Sequence, residues 1–185
     1  MIPVYGQGFF IVTHGLIHYI IVFDYIDEEG EYASLSSKPD LLAKEEDTLR
    51  RNMQELMDEE RVIINGLEVR PRVENASIEI RENKGRVSVT FYTTIPYRPR
   101  TGRNIYENFY EPTQAEYPYT VYWIAQPCIR IEAIESPGEV TLKSNIAIIK
   151  VNRGTKIDGY ESVVFTLEEC SHRHPQGLTH ARNTL

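Results

Sequence analysis

Lysine and arginine are absent from the first 37 residues, although five acidic side chains lie there: Asp24, Asp27, Glu28, Glu29 and Glu31. A secretory signal needs a basic region ahead of its apolar run, so this segment does not match one. The apolar stretch from Phe9 to Ile26 is interrupted by His14, His18 and Asp24, and such groups argue against a membrane span. We therefore expect a soluble, cytoplasmic protein with no membrane partner.

Cysteine is also scarce, because the chain has only Cys128 and Cys170. Two cysteines do not make a disulfide-rich scaffold, and in the cytoplasm we expect both thiols to be reduced. The glycine-rich phosphate-binding loops and the Gly-x-Ser-x-Gly elbow of many hydrolases are absent from the sequence. We therefore assign no catalytic residue, and the question of enzymatic activity stays open, with a non-catalytic role favoured.

The net charge of the 185-residue chain is −7, whereas proteins that coat nucleic acids are basic. This charge argues against a nucleic acid as the main partner. Apolar residues make up 41% of the sequence, which suffices for one domain with a hydrophobic core. We expect a β-rich domain over residues 1–170, followed by an exposed C-terminal tail over residues 171–185, where the apolar pattern ends.

Alternation of apolar and polar residues with a period of two predicts strands along most of the chain. An Asn65-Gly66 pair between Arg61–Ile64 and Leu67–Val69 predicts a hairpin, because both turn positions of a two-residue loop favour positive φ angles. Further strands are predicted at His14–Asp24, Ser77–Arg81, Arg86–Ile95, Tyr119–Gln126, Ile129–Glu135, Glu139–Lys143, Ile146–Val151 and Glu161–Leu167.

One amphipathic helix is predicted at about residues 38–59, with Pro39 in its first turn. Its apolar stripe consists of Leu42, Leu49, Met53 and Leu56, on an otherwise charged surface. Short strands, one helix and no alternation of strands with helices predict a mostly β fold. The fold class is an antiparallel β-sandwich or curled sheet with this single helix packed beside it.

Residues 96–118 contain four prolines, and we expect them to form a long loop or arm. The arm is rich in tyrosine and arginine, and its candidate interaction residues are Tyr97, Arg98, Arg100, Arg103, Tyr106, Phe109 and Tyr110. Tyrosine and arginine are enriched at protein interfaces. Two alternatives are single-stranded nucleic-acid binding, which uses the same residue types, and a clamp that holds the loop within the molecule.

Charge is distributed unevenly on either side of this arm. Residues 61–103 contain nine basic and four acidic side chains, whereas residues 104–139 contain one basic and six acidic. Oppositely charged segments favour association with complementary surfaces. The leading hypothesis is therefore a non-catalytic interaction or assembly module that binds a second copy of itself, as a homo-oligomer, or another protein.

A second hypothesis rests on metal-binding side chains near the C-terminus: Cys170, His172, His174 and His180, with His14 and His18 as further candidates. In an extended segment the first three would point to one side, since spacing by two returns a side chain to the same face. Thiolate and imidazole suit zinc, copper or nickel. A metal-binding protein or metal-dependent enzyme is thus the alternative function, although a solvated tail and hydrogen-bonded histidines are the simpler explanation of these residues, and no cofactor is otherwise expected.

Overall fold

The computed structural model describes residues 1–81 and 85–168. Within these ranges the protein is mostly β, which confirms the predicted fold class. Fourteen strands are described: β1 (Ile2–Val12), β2 (Leu16–Ile26), β3 (Arg61–Ile64), β4 (Leu67–Val69), β5 (Arg72–Ile80), β6 (Arg86–Pro96), β7 (Gly102–Phe109), β8 (Thr113–Gln114), β9 (Tyr119–Ala125), β10 (Ile129–Glu135), β11 (Glu139–Lys143), β12 (Ile146–Val151), β13 (Lys156–Ile157) and β14 (Tyr160–Leu167). Two helices accompany them: α1 (Glu31–Leu35) and α2 (Pro39–Glu59).

The strands form two large sheets and a short ribbon. A seven-stranded sheet has the order β11-β12-β9-β1-β2-β6-β5, a five-stranded sheet the order β10-β14-β7-β3-β4, and β13 pairs with β8. The prediction of purely antiparallel pairing is wrong at one place, because β1 and β9 are parallel. Parallel neighbours need a long crossover connection. Here the connection consists of all the elements from β2 to β8, after which β9 pairs with β1.

The Asn-Gly hairpin is confirmed between β3 and β4. Asn65 and Gly66 have φ angles of 57° and 77°, in the left-handed region that this two-residue turn requires. Val62 pairs with Val69 and Ile64 with Leu67 across the turn. Local turn chemistry is therefore sufficient to place this element.

Helix α2 has the predicted limits and packs against β5 over one half of the seven-stranded sheet. Between α2 and the sheet lies a second cluster of buried apolar residues, apart from the main core. Leu42, Leu49 and Met53 pack against this cluster as expected. Leu56 was assigned to the stripe, but it is exposed, and Met57 is buried instead. The helical period explains the difference, since Met57 lies four residues after Met53 and therefore on the same face.

The interpretation of residues 96–118 as a loop or arm is wrong for residues 102–109. These residues form β7, an interior strand that pairs with β14 on one side and β3 on the other. The inward positions of β7 carry Asn104, Tyr106 and Asn108, all buried, so the usual alternation of aliphatic and polar residues is missing. Because its inward residues are polar or tyrosine, the sequence pattern did not predict β7 as a strand.

The main core lies between the two large sheets, and Trp123 is buried at its centre as predicted. The Trp123 ring stacks on Phe10 with ring centroids 4.1 Å apart, and meets Tyr106 edge-on at 5.0 Å. Aromatic pairs in these geometries add stability beyond their buried area. The core therefore contains an aromatic cluster rather than aliphatic side chains alone.

Two further expectations concern the environment of the chain. Cys128 is disulfide-bonded, so the prediction of reduced thiols is wrong for this residue. In the described part of the chain, neither helix combines the length and apolar character needed to cross a bilayer.

Candidate ligand-binding cavity

A cavity of about 420 Å³ lies between the two large sheets, beside the C-terminal end of α2. Its floor is the inward face of β1, where Gly6 and Gly8 precede Phe10 at alternate positions. A Cβ atom added to Gly8 would lie 3.2 Å from Cε2 of Tyr19, and one added to Gly6 would lie 3.1 Å from Cβ of Tyr119. Glycine inside a strand often marks the close approach of another group. Here the lack of a Cβ atom at the two glycines allows Tyr19 and Tyr119 to pack closely against the backbone of β1 beside the cavity.

Aromatic side chains form most of the cavity wall: Phe10, Tyr19, Phe23, Tyr106, Tyr110, Tyr117 and Tyr119. The ring of Tyr19 stacks on Phe10, with centroids 3.8 Å apart. Burial raises the pKa of Tyr119 to about 12, and the pKa values of Tyr19 and Tyr110 shift in the same direction for the same reason. The wall therefore presents ring faces and uncharged hydroxyl groups near neutral pH.

Two glutamates line the same cavity from different elements. Glu60 directly follows the last residue of α2, and Glu161 is the second residue of β14. Burial raises the pKa of Glu161 to about 7, and the negative charge of Glu60 adds to the shift. Burial also raises the pKa of Glu60, although a hydrogen bond from Asn108 opposes this change. The C-terminal end of a helix is itself unfavourable for a negative charge, so the helix opposes a charged carboxylate at this position while the Asn108 hydrogen bond favours it.

Asn108 lies between these two glutamates. Its Cα is paired with that of Glu161 on β14 and with that of Val62 on β3. The Nδ2 group of Asn108 donates a hydrogen bond to Oε2 of Glu60 over 2.8 Å. Its Oδ1 atom is buried and accepts no hydrogen bond from the described residues. A buried acceptor without a donor is costly, and this one borders the cavity.

In the described part of the chain, the cavity is lined by acceptors of hydrogen bonds and by no basic group that would balance them. No lysine, arginine or histidine of the described ranges lines it, and no side chain in these ranges donates a hydrogen bond to the Glu161 carboxyl group. Buried carboxylates are normally paired with a cation or with several donors. The arrangement is therefore complementary to a ligand that supplies positive charge and N–H donors.

Three of the residues predicted to form an interaction arm are internal. Tyr97 is buried, and its hydroxyl group donates to the carbonyl oxygen of Thr13 over 2.6 Å. Tyr106 is buried in the core, and Tyr110 lines the cavity. For Tyr97 and Tyr106 a role in surface contacts is wrong, since their rings are enclosed by the protein.

The other four predicted arm residues lie at the surface. Arg98 and Arg103 are exposed, and Phe109 is partly exposed. Arg100 is exposed and donates through Nη2 to the carbonyl oxygen of Asn65 over 2.9 Å. This contact matches the intramolecular clamp considered as an alternative for the arm, and Arg98 and Arg103 remain candidates for contacts with a partner.

The predicted metal ligands are placed only in part. His14 and His18 are exposed near the start of β2 and within it. Among the residues that the structure describes, no three histidine, cysteine, aspartate or glutamate side chains are grouped as metal ligands would be. Cys170, His172, His174 and His180 lie outside the described residues, so the metal site remains a prediction.

Sequence reasoning missed the cavity, although its residues leave two signals. Glu161 continues the inward series of Val163, Phe165 and Leu167 on β14, so a carboxyl group stands at an apolar position. Gly6 and Gly8 are spaced by two at the start of a strand, which removes two neighbouring side chains from one face. Neither signal alone shows that Glu161 and the two glycines line the same cavity.

Comparison with known proteins adds no further constraint. No family model matches the chain, and no curated protein matches it. The functional argument therefore rests on the geometry described above.

Proposed function

We propose that this protein binds a small organic cation in the cavity, with an ammonium group facing Glu161 and an apolar body against the tyrosines. The observation that carries the proposal is the convergence of two partly buried carboxyl groups and the buried Oδ1 of Asn108 on one cavity. Among the described residues, no basic side chain lines this cavity and no donor reaches that Oδ1 atom. An ammonium group has only donors, and charge-assisted hydrogen bonds to carboxylates are the strongest of their kind.

The aromatic wall supports an organic cation over a metal ion. Ring faces attract cations through their quadrupole, and they bury apolar ligand surface as typical small-molecule sites do. A calcium ion instead takes six to eight oxygen ligands. The oxygen atoms of Glu60, Glu161 and Asn108 are surrounded by rings, which suits the carbon skeleton of an amine better than a hydrated ion.

The proposal predicts selectivity for charge among ligands of the same shape. We expect 2-phenylethylamine and hexylamine to bind and to raise the melting temperature. The neutral 2-phenylethanol and hexanol, and the anionic 3-phenylpropanoate, are expected to bind at least about tenfold more weakly, because each lacks a charge-assisted hydrogen bond. Calorimetric titration at pH 8 measures these differences. Equal affinities for amine and alcohol, or preference for the carboxylate, would contradict the proposal.

The assembly hypothesis from the sequence remains a second proposal, with Arg98 and Arg103 as its exposed residues. Replacing Arg98, Arg100 and Arg103 together with glutamate is expected to lower the mass in solution or abolish partner binding while the fold is retained. Light scattering and circular dichroism measure these two effects. An unchanged mass and unchanged partners in the triple variant would exclude these arginines as an interface, and a steep loss of nucleic-acid binding with salt would instead favour the single-stranded alternative.

A further inference from the structure

The seven-stranded sheet has a second, outward face, opposite the cavity, and its centre is apolar. Cross-strand register aligns Ile148, Tyr122, Phe9, Ile20 and Tyr92 in one row over five neighbouring strands, from β12 to β6. These positions alternate with buried inward residues along each strand. The rings of Phe9 and Tyr122 stack with centroids 5.0 Å apart, so the surface is preformed.

The next row continues this surface with Ile146, Ile124 and Ile11, after which it reaches His18. Ile146 and Tyr92 are exposed at 40% and 42%. Helix α2 packs with the inward residues of β2 and β6, and the five-stranded sheet also covers that inward side. No element of the described ranges therefore covers the outward apolar face.

The extent of the face is that of an interaction site. Five strands spaced by about 4.8 Å span about 19 Å, and two rows of side chains with their rims extend about 15–20 Å along the strands. A continuous apolar area of roughly 300–400 Å² is the size at which exposed patches mark interfaces. With its polar rim, the face approaches the roughly 800 Å² per partner of a standard protein interface.

We propose that a second copy of this chain covers the outward face, sheet against sheet, about a two-fold axis parallel to the strands. Residues near such an axis lie close to the same residues of the second copy. A charged side chain there would be repelled by its counterpart, so the side chains at the axis should be uncharged. Phe9 and Ile20, on the two central strands, meet the condition at the centre of the face, and Asp24, four residues farther along β2, lies at its rim, where it accepts a hydrogen bond from Ser88. Sheets that pack face to face with a small rotation place their side chains in contact over such an area.

Charge at the two sides of the face supports this partner. Lys150 lies at the β12 side, opposite Glu139 of β11 in the sheet register, and Glu79 lies at the β5 side. Both are exposed, and neither is in salt-bridge contact with another described residue. Both side chains point outward, since the residues next to them in the sequence, Ile149 and Val151 on β12 and Ile78 on β5, are buried on the inward face. A two-fold axis parallel to the strands brings β12 of one copy over β5 and β6 of the other. Each Lys150 then faces the part of the partner that carries Glu79.

The mass of the full chain in solution tests the proposal. Light scattering over a concentration series should give twice the chain mass of 21.4 kDa. Ile20→Lys should shift the equilibrium to 21.4 kDa, because it places like charges at the axis. Leu41→Lys, at an exposed position of α2, is the matched control and should leave the dimer unchanged.

A charge exchange provides the second measurement, which does not depend on the folding of Ile20→Lys. Lys150→Glu alone should raise the dimer dissociation constant about two- to fivefold, and adding Glu79→Lys should restore it. A wild-type monomer at all concentrations, an Ile20→Lys dimer, or no rescue by the double exchange would overturn the proposal. These outcomes are independent of amine binding, since the cavity lies on the other face of the sheet.

Discussion

Glu161→Gln is expected to weaken the binding of 2-phenylethylamine by about 10- to 100-fold at pH 8. The substitution keeps the shape of the side chain but removes the negative charge that pairs with the ammonium group. Hydrogen bonds to charged groups contribute about 1.5–3 kcal/mol, and each 1.4 kcal/mol is a factor of ten in affinity. Calorimetric titration of both proteins with the same amine measures the effect.

Glu107→Gln is the matched control for this experiment. Glu107 precedes Asn108 on β7, so its side chain points to the opposite face of the sheet, where it accepts a hydrogen bond from Tyr160. Its neutralisation changes the net charge equally but leaves the cavity intact. Equal losses of affinity in the two variants would show that overall charge, and not the cavity, attracts the amine.

The wild-type affinity is also expected to depend on pH in one direction. Because the pKa of Glu161 is about 7, its carboxyl group is mostly neutral below pH 7 and charged above it. Affinity for the amine should therefore rise as the pH increases from 6 to 8. The Glu161→Gln variant should lose most of this rise, and a rise that persists in the variant would assign it to another group.

The same glutamate affects stability without any ligand. The folded protein binds the Glu161 proton more tightly than the unfolded chain does, since the pKa is raised from its ordinary 4.5 to about 7. Stability therefore decreases as the pH rises from about 4.5 to 7, and the loss is complete above pH 7. Glu161→Gln removes this loss. At pH 8 we expect the free energy of unfolding of the variant to be about 1–2 kcal/mol higher than that of the wild type. At pH 4 the two free energies of unfolding should be nearly the same.

Gly159→Ala is expected to destabilise the protein by more than about 3 kcal/mol, because two effects add at this position. Gly159 has a φ angle of 82°, which is unfavourable for residues with a Cβ atom. The added Cβ would also overlap the backbone carbonyl oxygen of Tyr110 and lie 3.1 Å from the ring of Pro112. Backbone atoms cannot rotate away, so the segment that carries the cavity residue Tyr110 must move. Chemical unfolding measures the loss.

Gly30→Ala separates these two effects. Gly30 has a φ angle of 69°, and no atom lies within 4 Å of the position that its Cβ would occupy. This variant has only the cost of the left-handed backbone, about 1–2 kcal/mol. If the two alanine variants were equally stable, the contact with Tyr110 would have no energetic role, and the entrance to β14 would be more adaptable than the structure indicates.

Much of the fold could be predicted from local patterns. The Asn65-Gly66 turn, the limits of α2 and the bounds of β10, β11 and β12 follow from turn chemistry and from periods of 3.6 and 2. These signals act between residues close in sequence, and each is strong enough to act alone. The strand β7 escaped prediction because its inward side chains are asparagine and tyrosine, which resemble a surface pattern until their partners are known.

The candidate site could not be predicted in the same way. Glu60, Asn108 and Glu161 are separated by about 50 residues each in the sequence, and the register of β3, β7 and β14 brings them together. The glycines that line the cavity floor come from yet another strand, β1. Each residue has an ordinary local explanation, and only their meeting creates an uncompensated negative cavity.

The amino-acid sequence by itself determined that this protein is mostly β, with one long helix, a tight hairpin and Trp123 in the core, whereas the short helix α1 was not predicted. Alternation and turn residues depend on neighbours in the sequence, and the burial of a large apolar side chain depends on that side chain itself. These features can therefore be recognised without a structure. Only the tertiary structure decided which polar residues are enclosed and which apolar face is left open. Pairing between distant strands sets both, because strand register determines the neighbours of each side chain across a sheet.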